Sequence, residues 1–166
     1  MSSKEFTKEF VKGFDYELQN RQFALISMSG VARRLNGDHR AAFWGGYSRL
    51  ERFNLPRYEQ AALRWGMDAK PTAWTRARGT LIGATPTFML HSLLKFAYPK
   101  TVKYLKELRR VRGMGPEDGK AFLDYMVDQE VFQIEMMQLA LDSRFSEITP
   151  KLEHFFGKYE GEELFS

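Results

Sequence analysis

PEDGKAFLDYMVDQEVFQIEMMQLALDSRF, residues 116–145, decides the fold. After its first turn the stretch contains no Gly or Pro. Leu123, Val127, Ile134, Met137 and Leu141 form one apolar stripe at helical spacing, and Phe122, Met126, Met136 and Ala140 form a second. A helix apolar over so much of its surface belongs in the middle of a bundle. Glu130 interrupts the first stripe between Val127 and Ile134. An acid there needs a polar partner or a raised pKa. The expected partner is His91, Arg21 or a Tyr on a facing helix.

The pattern continues outward on both sides. Residues 100–112, KTVKYLKELRRVR, predict an amphipathic helix with Val102, Leu105 and Leu108 facing inward. Lys100, Lys103, Lys106, Arg109, Arg110 and Arg112 cover the rest, against the single acid Glu107. Residues 79–94, GTLIGATPTFMLHSLL, carry no full charge. A membrane span needs about 20 apolar residues, so a buried helix is expected, bent or broken at Pro86 and Pro99. This third segment starts near Thr72, and Gly79 and Gly83 let a neighbouring backbone approach closely. A second segment runs from Asp38 through Phe43, Tyr47, Leu50 and Phe53 to Gly66, with a kink expected at Asn54-Leu55-Pro56. Residues 3–35 predict one long helix with Ser2 and Glu5 as a capping box and Asn36-Gly37 as its stop. Downstream, Thr149-Pro150 opens a short last helix that ends at Gly157, and residues 158–166 read as a loose acidic tail. Period-two alternation is missing, so no strand is expected. The fold class is therefore all-α: one domain over residues 1–166, with four long helical segments, two of them Pro-kinked, and a short C-terminal helix.

Composition narrows the function. The chain has 166 residues, no Cys and a net charge of +4. Disulfide scaffolds, thiolate metal sites and Cys nucleophiles are excluded. The N-terminal residues lack an apolar signal region, which points to a cytoplasmic protein. No P-loop or Gly-x-Ser-x-Gly elbow occurs. Gly113-x-Gly115 lies between helices and follows no strand, so it is a break rather than a dinucleotide loop.

Glu17 lies beside the apolar stripe of the first segment and Glu51 beside that of the second. With Glu130-Val131-Phe132-Gln133, this set of long helices resembles the ferritin-like bundle. Metal-binding members of that class place a Glu on each of two helices and Glu-x-x-His on the other two. The resemblance implies Glu17, Glu51, Glu130 and His91 as candidate ligands of an oxygen-activating iron. Gln133 stands where the motif has His, and no Glu-x-x-His occurs in the chain. No cofactor is therefore expected on the residues alone.

Three functional readings follow. The first is a non-enzymatic bundle docking to a protein partner, an anionic membrane surface or a nucleic-acid backbone through Lys100–Arg112, and able to self-associate. The second is a ferritin-like carboxylate–metal oxidoreductase. The third is a carrier of an apolar ligand in the Met- and Phe-lined interior.

Overall fold

The computed structural model describes residues 6–166, so the expected Ser2–Glu5 capping box lies outside the described residues. The helices are α1 Lys8–Ala32, α2 Ala41–Arg64, α3 Ala73–Gly83, α4 Leu90–Met114, α5 Lys120–Leu141 and α6 Ile148–Tyr159, with no strand among the described residues. Thr7 caps α1, its hydroxyl accepting from the Phe10 N–H at 3.1 Å. Thr72 does the same for α3 through the Thr75 N–H. Gly66 takes φ +68 and closes α2, with the Met67 N–H donating to the Ala62 carbonyl at 2.8 Å.

Four long helices form the bundle: α1 packs on α2 and α4, and α5 packs on α2 and α4. Side-chain pairs give their directions. Ser29 meets Ser48 while Glu17 meets Tyr58, so α1 and α2 are antiparallel. Tyr47 meets Gln133 and Asn54 meets Tyr125, so α2 and α5 are antiparallel. Gly13 faces Val111 and Tyr16 faces Tyr104, so α1 and α4 are antiparallel. It follows that α2 and α4 run parallel, and the chain between them must return along the bundle. Helix α3 lies on α1 during that return.

The α3–α1 contact needs Gly. A Cβ on Gly79 would sit 2.9 Å from the Ile26 Cβ, and one on Gly30 would sit 2.9 Å from the Gly83 Cα. We predict that Gly83→Val lifts α3 from α1 and costs roughly 1–3 kcal/mol, as overpacked contacts do. Thermal denaturation should show the loss, whereas an unchanged melting temperature would deny the close approach.

Several expected boundaries move. Pro56 and Pro99 both sit inside unbroken helices. Each ring is exposed, as are Arg52 and Lys95 four residues earlier, so the carbonyl each ring strands lies on the wet side of its helix. The break in the third segment falls at residues 84–89, and α4 joins the end of the uncharged run to the basic run. The central helix is shorter than expected and is flanked by 3-10 turns at Glu117–Gly119 and Phe145–Glu147. Helix α6 passes Gly157 to reach Tyr159. Residues 158–166 are not loose: Leu164 and Phe165 are buried, Phe165 stacks on Phe122 at 5.4 Å, and the Phe122 N–H donates to the Leu164 carbonyl at 3.1 Å.

Candidate functional site

Helical spacing puts Glu17 and Arg21 on one face of α1, Glu51 and Asn54 on one face of α2, and Gln129, Glu130 and Gln133 on the inner side of α5. All seven are buried at the centre of the bundle. The Arg21 guanidinium is the hub. Nη1 donates to Glu51 Oε1 at 2.8 Å and to Gln129 Oε1 at 3.1 Å. Nε lies 2.9 Å from Glu17 Oε1, and Nη2 lies 3.2 Å from Glu130 Oε2. The first of these is a poorly directed ion pair, since Nε and Glu17 Oε1 make no well-aligned hydrogen bond.

Amides and phenols fill the second layer. Gln133 Nε2 donates to Glu51 Oε1 at 2.8 Å, and Asn54 Nδ2 donates to Gln129 Oε1 at 2.9 Å. The Tyr47 hydroxyl donates to Gln133 Oε1, and the Tyr125 hydroxyl donates to Asn54 Oδ1. Gln129 Nε2 donates to the Met126 carbonyl at 3.0 Å and to the Tyr58 hydroxyl at 3.3 Å.

Three carboxyls share one guanidinium, so the centre cannot hold them all ionised away from water without cost. Burial pushes the Glu17 carboxyl up to about 8, Arg21 opposing and Glu130 and Glu51 adding to the rise. Burial likewise raises Glu51 to about 7, against the pull of Arg21, and raises Glu130. Burial opposes the charge on Arg21, but Glu17, Glu51 and Glu130 outweigh it and hold its pKa well above the ordinary range. The folded centre therefore favours protonated carboxyls beside a cationic arginine.

Iron does not fit this donor set. The guanidinium occupies the middle of the carboxylates, and the residues three after Glu51 and Glu130 are the amides Asn54 and Gln133, both spent in the network. Among the described residues, no group of three His, Cys, Asp or Glu side chains could hold a metal ion.

A cleft of about 420 Å³ reaches this centre from the surface between α3 and α4. Helix α3 packs on α1 and α4 on α5, which leaves the space between α3 and α4 open. Phe43, Trp44, Leu94, Ala97 and Met137 are among its walls. Arg21, Tyr47, Tyr104 and Glu130 belong to its polar lining, together with Asn20 and Thr101, while Leu81, Phe96, Arg78 and Lys100 stand at the solvent end. The Tyr104 hydroxyl is buried with no hydrogen-bond partner. Among the described residues, the polar partners of Glu130 are Arg21 and Gln129, both through Oε2.

The structure thus gathers Glu17, Glu51, Glu130 and Gln133, with Arg21 as the partner of Glu130. His91 is not part of the centre: it lies exposed on α4, because the inward positions of that turn belong to Leu90 and Leu94. In the basic segment Lys100, Lys103, Lys106, Arg109 and Arg110 are exposed, whereas Arg112 is half-buried. Arg110 pairs with Glu107 at 2.6 Å and Arg112 with Asp124 at 3.8 Å. Leu108 is buried and Leu105 partly so, but Val102 faces outward rather than inward. Sequence reasoning missed Asn54, Gln129, Tyr47, Tyr58, Tyr104 and Tyr125. One available signal was Glu51-Arg52-Phe53-Asn54, which repeats the carboxyl–x–x–amide spacing of Glu130 and Gln133.

The chain matches no family model, no curated protein and no solved structure. No helix among the described residues is long and apolar enough to cross a membrane.

Proposed function

We propose that this bundle is a binding protein that carries an elongated apolar molecule with a neutral hydrogen-bonding head, held in the cleft between α3 and α4. The observation that carries the reading is the mismatch within the cleft: apolar walls lead to the Glu130 carboxyl and to a buried Tyr104 hydroxyl with no partner. Buried polar groups are normally satisfied. A hydroxyl head placed within reach of both would satisfy them, accepting from Tyr104 and donating to Glu130. The cleft volume lies within the range of small-molecule sites.

Charge selects the head. Three carboxyls already outnumber one guanidinium, so a carboxylate head would add to the repulsion. A long-chain alcohol should therefore bind at least about tenfold more tightly than the matching fatty acid at neutral pH, the factor that 1.4 kcal/mol supplies. Titration with a fluorescent long-chain alcohol tests the reading. Saturable binding is expected, and Ala97→Trp, which fills the cleft between its walls, should abolish it while leaving the helical signal intact. Equal binding by Ala97→Trp would defeat the proposal.

A further inference from the structure

We infer that the face carrying the cleft mouth docks onto an anionic lipid bilayer. The inference goes beyond the ligand reading and does not require it to hold.

The face is unusually apolar for a surface. Trp74 is 70% exposed, Leu81 73%, Phe88 85% and Phe96 63%. Large exposed apolar patches on a monomer mark an interaction site. Helical spacing gathers them. Trp74, Arg78 and Leu81 follow one another along one side of α3 at intervals of four and three. Leu93, Phe96 and Lys100 do the same on α4 at intervals of three and four. Arg78, Leu81, Phe96 and Lys100 all line the cleft, so the two rows meet at its mouth. Phe88 and Met89 stand in the turn that leads into α4.

Charge identifies the occupant. Residues 69–106 contain Lys and Arg but no Asp or Glu. Arg76, Arg78, Lys95, Lys100 and Lys103 are all exposed. The cations are interleaved with the rings: the Arg78 guanidinium lies 4.9 Å from the Phe23 ring and 6.0 Å from the Trp74 ring, and Lys100 Nζ lies 3.8 Å from the Phe96 ring. Apolar side chains that enter the acyl boundary, beside cations that stay at headgroup level, are the features of an interfacial membrane surface. A nucleic-acid backbone would meet the cations but leave Leu81 and Met89 in water. The far end of the basic segment contributes less, because Arg110 and Arg112 have carboxylate partners in the chain. Docked this way, the cleft would open into the bilayer, and no helix would need to cross it.

Vesicle flotation with tryptophan fluorescence tests the inference. Trp44 and Trp65 are buried, so Trp74 reports on the surface. Vesicles of phosphatidylcholine with a minority of phosphatidylglycerol are expected to float the protein at low salt and to shift Trp74 emission to the blue, with Trp74→Phe abolishing the shift. Pure phosphatidylcholine should bind weakly. The pairs Leu81→Ser/Phe96→Ser and Lys100→Glu/Lys103→Glu should each lower the partition coefficient at least about tenfold, by lost apolar burial and lost headgroup attraction respectively. All four side chains are exposed, and far-ultraviolet circular dichroism should confirm that the fold is kept. No flotation at low salt would overturn the inference. So would flotation that the Leu81→Ser/Phe96→Ser pair leaves unchanged, because the face would then be a plain polyanion patch.

Discussion

Arg21→Met is expected to destabilise the folded chain by roughly 3–5 kcal/mol at neutral pH, the usual result of removing one partner from a buried charge cluster. Among the described residues Arg21 is the one cation in contact with Glu17, Glu51 and Glu130, which it approaches at 2.9, 2.8 and 3.2 Å. The methionine chain can refill the space, so most of the effect is electrostatic. The penalty should shrink at pH 5, where the carboxyls can take up protons and stay buried as neutral acids. It should grow at pH 8, where the protons must be held against solution. Urea denaturation of both proteins across this range checks the prediction. A constant difference from pH 5 to pH 8 would mean that Arg21 acts through packing.

The second large effect is on the pH dependence of the intact protein. Most proteins owe their acid sensitivity to carboxylates with depressed pKa values. Here the buried carboxyls are shifted the other way. Glu17 moves from an ordinary 4.5 to about 8 in the folded chain, and Glu51 from 4.5 to about 7, burial being the first cause in both. The folded state thus binds protons more tightly than the unfolded state between these limits. The stabilisation is fully present below the unfolded pKa, and it is lost as pH rises through the folded one. Each such group contributes a fall of up to about 1.4 kcal/mol per pH unit. The groups facing Glu17 are Arg21, Glu51, Glu130 and Tyr58, and none of them reverses this sign. Asp38, Glu107, Asp128 and Glu147 are shifted down, so they stay ionised in both states through the window. Stability should therefore decline from pH 5 to pH 8. Glu17→Gln, which keeps the shape without the titration, should flatten that decline and be more stable than the wild type at pH 8. An identical slope in the variant would show that Glu17 is ionised throughout.

The bundle and its polar centre were largely legible in the sequence, because both rest on helical periodicity within single segments. Glu130 stood out within an apolar stripe, and burial forced it to find a partner. Glu17 and Glu51 could be placed beside stripes of their own. What periodicity could not supply was anything set by the side of a helix that meets water. Pro56 and Pro99 break nothing because their rings point outward. His91 followed the uncharged run into an expected core, yet α4 turns it to solvent. Leu164 and Phe165 were hidden among Glu160, Glu162 and Glu163. Their anchoring depends on a contact with Phe122 made across the fold. The cleft itself arises from α3 packing on α1 through Gly30, Gly79 and Gly83, a tertiary event that leaves α4 without a neighbour on that side.

In the proposed complex a neutral head lies at the Glu130 end of the cleft and an apolar chain leads out to its mouth. Photo-crosslinking tests it most directly, with a long-chain alcohol carrying a diazirine beside its hydroxyl and the adducts located by peptide mass spectrometry. Adducts are expected on the inner residues Tyr47, Tyr104, Glu130 and Met137, suppressed by excess unlabelled alcohol and absent from Ala97→Trp. Adducts confined to Trp74, Phe88 and Phe96 would mean that the alcohol only coats the surface, and would contradict it.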